Sequence, residues 1–501
     1  MKAFLLGTLA FISAQLLHAQ LDSVALKYAA TITQADLKTH LAIIAGDAYE
    51  GRDTGTPGQK KAAAYLKEQF ASFGIPPIVG KDDIKITDGY FQPFDLIQER
   101  SGSIAIEANG ERLEFLKELM YFNEFVNSTI TIEKVRFLGD GRNMQAIIAG
   151  DAVMLIDEGV ASMVEFMGWL QARADAARSA GAAYLFVISP RVKEMSIELG
   201  HFVSGPRMRL ADNNAMQPRS GMQTILIDRD HATDLFRSKK KVRLEKLKRG
   251  RILPVDLTLV HTPRVERVTS ENVLAYIEGT EKPEEVLVLT AHYDHIGVEG
   301  EEIYNGADDD GSGTVALIEM AQAFAEAKKA GHGPKRSVLV MPVSGEEKGL
   351  LGSKFYSDNP VFPLENTIAN LNIDMIGRTD SAHAGGEPYV YIIGSDRLST
   401  QLHEVNERAN STYTKLELDY TFNAEDDPNK FYYRSDHYNF ARKGVPAIFY
   451  FSGVHEDYHQ PTDTEEKIEY DKLHQRALLV FHTAWILANQ EERIVVDKPV
   501  R

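Results

Sequence analysis

The sequence predicts an α/β fold with a mixed, largely parallel sheet flanked by helices, plus a second, mainly β module inserted into it. Three observations carry this reading. From Asn272 onward, apolar strand-like runs alternate with helical stretches, at 285–290, 312–330, 337–343, 349–357, 368–373, 397–409 and 447–451. Such alternation implies parallel strands joined by crossover helices, with ligand sites at the carboxyl ends of the strands. From about Ile104 to Leu257 the texture shifts to short alternating strands, at 130–137, 153–156, 184–188 and 224–227, with one helical stretch over 169–180 that ends at Gly181. Finally, 501 residues exceed what one core organises. The expected division is 20–105 with 259–501 as one domain and 106–258 as the insert.

Before the insert, 34–46 and 58–70 read as helices, with Thr33 and Asp36 spaced as an N-terminal cap and Leu37, Leu41 and Ile44 on one face. Between them, Glu50-Gly51-Arg52-Asp53-Thr54-Gly55-Thr56-Pro57-Gly58 is an irregular turn fixed by three glycines and a proline. At the start of the chain, Lys2 followed by an apolar stretch too short to span a bilayer reads as an export signal over 1–19. Secretion, or release to a periplasm, is the expected localisation. No later stretch has the apolar length of a membrane anchor.

The formal net charge of -17 argues against nucleic-acid binding, which depends on basic residues displacing counterions. The basic run from Lys239 to Arg249 is short, lacks interleaved aromatics and reads as a solvated face. Cysteine is absent, which excludes disulfides, thiolate metal sites and a catalytic thiol. Any metal must be held by His, Asp and Glu.

Those residues gather at the ends of expected strands. The strand over 286–290 runs into Ala291-His292-Tyr293-Asp294-His295. Alternation puts His292 and Asp294 on one side, where a carboxylate can accept the second imidazole N–H and fix the ring. Next, Asn305-Gly306-Ala307-Asp308-Asp309-Asp310-Gly311-Ser312-Gly313 sets three carboxylates in a glycine-flanked turn, where they repel one another unless cations intervene. The spacing does not fit an EF-hand calcium loop. Gly345-Glu346-Glu347-Lys348-Gly349 ends another strand with two adjacent glutamates, suited to a division between metal binding and proton transfer. Asn372-Ile373-Asp374-Met375 and Tyr458-His459-Gln460-Pro461 complete a set of His, Asp, Glu, Asp and His. Three ligand carboxylates against two divalent cations leave one positive unit, which favours a bound hydroxide. The residues alone do not say which of Asp308, Asp309 and Asp310 bridges, nor which of Glu346 and Glu347 is the ligand.

These stretches, in this order, resemble the co-catalytic zinc aminopeptidases of the clan that includes glutamate carboxypeptidase, glutaminyl cyclase and the transferrin receptor. The matching segments are 291–295, 305–313, 344–353, 372–377 and 453–464, and the turn over 47–58 is similar to the family's N-terminal segment. The middle module resembles a protease-associated (PA) domain around 153–157 and 176–189. The resemblance implies a phosphorylase/hydrolase-like zinc peptidase fold and two Zn2+ per chain. Asp309 bridges both metals in that scheme, His292 and Asp374 complete one, and Glu347 and His459 complete the other. It further implies Glu346 as general base, Asp294 as the group orienting His292, and a cis peptide between Asp309 and Asp310. The implied reaction is attack of a metal-bridging hydroxide on the first peptide bond of a peptide substrate. Arg434-Ser435-Asp436-His437 is similar to a segment near the substrate pocket, so Arg434, Asp436 and Tyr458 are candidate substrate contacts. His295, His437 and His455 are expected to be structural or to support ligands. The rivals are a carboxypeptidase, which needs a cation such as Arg378 or Arg434 for the free carboxylate, a glutaminyl cyclase, and a non-catalytic receptor-like protein.

Overall fold

A computed structural model of the chain describes residues 21–79, 86–122, 128–211, 221–236 and 246–500. The expected export signal and the basic residues 239–245 lie outside the described residues. The chain divides into two compact units, Met1–Phe94 with Thr269–Arg501, and Asp95–Val268. These divisions, like the expected ones at 105 and 259, fall within the continuous strands Phe91–Ala108 and Ile252–Val273, so no loop composition marks them.

The first unit is organised by a seven-stranded sheet: β1 (Ala275–Ile277), β2 (Lys282–His292), β3 (Arg336–Val343), β4 (Thr367–Ile373), β5 (Tyr389–Ile393), β6 (Glu417–Asp419) and β7 (Ala447–Phe451), in the order β1-β3-β2-β4-β7-β5-β6. β3, β2, β4 and β7 run parallel. β1 is antiparallel to β3, and β5 is antiparallel to β7. Every residue of β3 and β4 is buried, as central strands covered on both faces are, and the polar ones among them, such as Asn370 and Asn372, are hydrogen-bonded. Along β2 the side chains alternate between two cores: Leu287 and Leu289 join one, Val286 and Val288 the other.

The first of those cores is covered by α1 (Gln34–Ile44), α2 (Pro57–Ser72), α3 (Gly313–Lys329), α4 (Leu351–Asp358) being on the opposite side with Tyr356, and by α5 (Thr400–Ala409) and α6 (Tyr470–Asn489). Thr33 caps α1 by accepting the Asp36 N–H at 3.1 Å, and Leu37, Leu41 and Ile44 are its buried face. β5 and α6 were not anticipated from the sequence. α6 buries Leu473, Ala477, Val480, Phe481, Ala484, Trp485 and Ala488 on one face and Arg476, Leu479, His482, Thr483 and Leu487 beside it, so its buried surface is too broad to show a clean stripe.

The second unit contains a nine-stranded sheet. Its centre is a parallel run of Ser128–Phe137, Ala152–Ile156, Tyr184–Ser189 and Gln223–Asp228. The helix Met163–Ser179 connects the second of these strands to the third. The insert is therefore more α/β in its middle than its short strands suggested.

Candidate active site

Four parallel strands deliver the chemistry to one edge of the sheet. β2 ends on His292, β3 is followed by Glu346 and Glu347, β4 by Asp374, and β7 leads into the loop carrying His459. The crevice beyond the carboxyl ends of parallel strands is where such folds place ligands.

The Asn305–Gly313 turn resolves which carboxylate faces that crevice. Asp308 Oδ1 accepts the Gly377 N–H at 2.6 Å, and its Oδ2 lies 3.1 Å from His455 Nε2. Asp310 accepts N–H groups from Gly313 at 2.9 Å, Met375 at 3.0 Å and His292 at 3.2 Å. Both flanking carboxylates thus stitch the backbone. Asp309 alone turns to the site, where its Oδ1 is 3.1 Å from His292 Nε2 and its Oδ2 is 3.1 Å from His459 Nε2. The Asp309–Asp310 peptide is cis. Gly306 is required at the start of this turn: its φ is +53°, and a Cβ there would lie 2.3 Å from the Asp309 carbonyl and 2.5 Å from the His295 ring.

Around Asp309 two groups form. In the first, His292 Nε2 is 3.6 Å from Asp374 Oδ1, and Ser435 Oγ donates to Asp374 Oδ2 at 2.6 Å. Burial works against a proton on His292, but the carboxylates of Asp374, Glu346 and Asp309 overcome it and raise the imidazole well above its usual range. The expected contact from the Asp294 carboxylate to this ring is made instead by the Asp294 main-chain oxygen, 3.0 Å from Nδ1. The carboxylate itself stands 3.9 Å away and accepts from Thr54 Oγ1 at 2.7 Å and from the Glu346 N–H at 3.3 Å. β2 stops at His292, so strand alternation no longer dictates where Asp294 points.

In the second group, Glu347 Oε2 is 3.3 Å from His459 Nε2, while Glu347 Oε1 is 2.8 Å from His295 Nδ1. Burial and Asp309 push the Glu347 carboxyl up, and His295 and His459 reverse this and hold it down at about 2. His295, expected to be structural, therefore stands with Asp309 and Glu347 in a second metal-capable trio, beside that of His292, Asp309 and Asp374. A histidine three residues after a ligand histidine, past the end of its strand, was the available signal.

This donor set fits zinc. Imidazole nitrogens and carboxylate oxygens are its usual ligands when thiolates are absent. His295 Nε2 is buried without a hydrogen-bond partner among the described residues, and Glu347 Oε1 and His295 Nδ1 face only each other at 2.8 Å, an arrangement that a cation relieves.

The adjacent cavity is lined by the polar Asp309, Glu346, Asp374, Arg434 and His459 and by the apolar and aromatic Met375, Phe431, Phe449, Phe451, Val454 and Tyr458. Desolvation, then the carboxylates of Asp374 and Glu347, raise the Glu346 carboxyl well above its ordinary range. Tyr458 stacks on His459 at 3.9 Å between ring centroids. The Arg434 guanidinium lies over the Phe431 ring at 4.8 Å. Asp436 does not line the cavity: it is buried, accepts from Ser353 Oγ, and is pushed up to about 7, chiefly by desolvation. His437 is buried too, and desolvation lowers it to about 3. Arg378 is held by Asp457 at 3.0 Å.

Residues 272–484, which carry all five expected ligands, match the profile of peptidase family M28. That segment is similar to peptidase family M28. Among curated relatives, the chain is similar to a probable zinc metalloprotease of Pyrenophora tritici-repentis, 29% identical over 266 residues covering 44% of this chain and 52% of that protein. It is also similar to a probable leucine aminopeptidase of Arthroderma otae, 30% identical over 224 residues covering 43% of this chain and 57% of that protein. The chain spans about half the length of the curated relatives it matches. An aminopeptidase from Aneurinibacillus sp. strain AM-1 shares the fold, at 19% identity and a TM-score of 0.56, over 95% of this chain and 100% of that one.

Proposed function

We propose that the chain is a zinc-dependent exopeptidase that removes N-terminal amino acids from peptides. The observation that carries the reading is the shared carboxylate of Asp309, with one oxygen toward His292 and the other toward His459. In this reading His292 and Asp374 would hold one zinc, Glu347 and His459 would hold the other, and Asp309 would serve both. Zinc bound there supplies Lewis-acid polarisation of a peptide carbonyl and a nucleophilic water at neutral pH.

The rest is done by the chain. Glu346 lines the cavity beside the ligands without joining either trio, so it is the group placed to accept a proton from the attacking water and return it to the leaving amine. Carboxylates around the cavity suit the free α-ammonium of a peptide. The walls of Phe431, Phe449 and Phe451 suit an apolar first side chain. Tyr458, at the cavity wall, can donate a hydrogen bond to a developing oxyanion. A carboxypeptidase needs a cation for the terminal carboxylate, and the Arg378 pairing with Asp457 removes one of the two candidates. We further read residues 1–19 as a cleaved signal and the insert as a PA domain, both on the sequence pattern.

The test is mass spectrometry of a mixed peptide library incubated with the enzyme, with chelator, and with zinc restored. Stepwise loss of N-terminal residues, abolished by chelator and recovered with zinc, is the expected result. Loss from the C-terminus, cyclised N-terminal glutamine, or no change at all would each overturn it. N-terminal sequencing of protein recovered outside the cell tests the signal.

A further inference from the structure

The turn Arg52-Asp53-Thr54 supplies no member of either metal-capable trio, yet it reaches every segment that does so from β2 and β3 and from the turn after β2. The Arg52 guanidinium is fully buried and bonds only to main-chain oxygens: Tyr293 at 2.8 Å, Ile44 at 2.9 Å, Asn305 at 2.7 Å and Gly306 at 2.9 Å. Tyr293 follows His292, and Asn305 and Gly306 open the turn that carries Asp309. Asp53 Oδ1 lies 2.8 Å from the Nζ of Lys348, next to Glu347. Thr54 Oγ1 donates to Asp294 Oδ2, and the other oxygen of that carboxylate accepts the Glu346 N–H.

A guanidinium is the one side chain with enough donors, in a fixed fork, to hold carbonyls from three separate segments. Ordinary fold stabilisation does not need three consecutive residues to end on three different ligand-bearing segments. We propose that Arg52-Asp53-Thr54 is a positioning element that sets the spacing of the His292, Asp309 and Glu346–Glu347 segments, and with it both zinc affinity and turnover. This rests on the metallopeptidase reading above. None of the three residues touches substrate or metal. They act through Tyr293, Asp294, Gly306 and Lys348.

The experiment compares Thr54→Val, which keeps the shape and removes the donor, with Thr54→Ser, which keeps the donor. Three quantities are read on the full chain: zinc affinity by competition with a chromophoric chelator, kcat and KM on a peptide substrate, and the Tm of the metal-free protein. Losing a group that orients a ligand typically weakens metal affinity about 10–100-fold. Thr54→Val is therefore expected to weaken zinc at least about tenfold and to lower kcat with KM little changed, while Thr54→Ser stays within about threefold of wild type. Asp53→Asn, which removes the charge facing Lys348, is expected to weaken zinc in the same direction, with the Tm of the metal-free protein separating this from a loss of fold. Wild-type zinc affinity in both Thr54→Val and Asp53→Asn overturns the proposal, as does a Thr54→Ser variant as impaired as Thr54→Val. If the wild type hydrolyses no peptide, the peptidase reading fails, and the chelator competition still decides this one.

Discussion

The two sides of Asp309 are built to different standards of rigidity. On the first side each donor is pinned from behind: the second nitrogen of His292 by the Asp294 carbonyl, and Asp374 by Ser435. The His292 side chain is 1% exposed. On the second side Glu347 lies between two histidines, and His459 is 38% exposed, with Tyr458 stacked on its ring. A donor fixed by its own hydrogen bond is pre-organised for a metal, whereas one that is not must be ordered by it. The first side is thus a closed, committed site. The second has a choice of imidazole and opens to solvent.

The largest expected effect separates the glutamates at the meeting of the two sides. Glu346→Gln keeps size and leaves every ligand in place but cannot accept a proton, so turnover should fall by about 10²–10⁴-fold with zinc content unchanged. Glu347→Gln should instead lose zinc from the open side. Zinc retention in the second variant with loss in the first would reverse the two roles. A sharper probe of the open side is the histidine pair. His459→Gln should lower bound zinc from about two to about one per chain and abolish turnover, while His295→Gln should keep about two. The opposite pattern would make His295 the ligand and His459 its neighbour. Next in size, chelator should strip zinc in two phases, the open side first, and a single phase would show that the difference in exposure does not control release.

The smallest effect is a control remote from the cleft. His482 is buried against Tyr413, and desolvation holds it down at about 4. Its folded pKa lies below the ordinary histidine value of about 6.5, so the unfolded chain binds the proton more readily as pH falls. The stability this burial maintains is complete above about pH 6.5 and is lost between there and about pH 4, at most about 3 kcal/mol. His482→Phe should flatten that limb of the Tm–pH curve equally with and without zinc. Any acid sensitivity that remains only in the zinc-loaded protein then belongs to the ligands.

Much of this was legible in the residues. The strand ends, the glycine-flanked acidic turn and the glutamate pair fall where local patterns placed them, because each is a short segment whose backbone is set by its own sequence. What stayed hidden depended on partners far along the chain. Asp308, Asp309 and Asp310 are indistinguishable until the N–H groups of Gly377 and Met375 claim the outer two. Asp294 was read by strand alternation past the point where the strand had ended, and His295 was set aside because five other residues already filled the ligand set. The helix Tyr470–Asn489 was missed because burial on several faces erases the periodicity that reveals a surface helix.

The long reach of the 52–54 turn also sets an order of events in biogenesis. Thr54 and Asp294 are 240 residues apart in the chain. At ribosomal rates of about 5–20 residues per second, roughly 12–50 s separate the synthesis of the brace from that of its first partner, and Glu346, Glu347 and His459 emerge later still. A nascent chain therefore has no assembled centre: the clamp closes only once Lys348 has been made, and the site is complete only after His459, a built-in delay before the molecule can act.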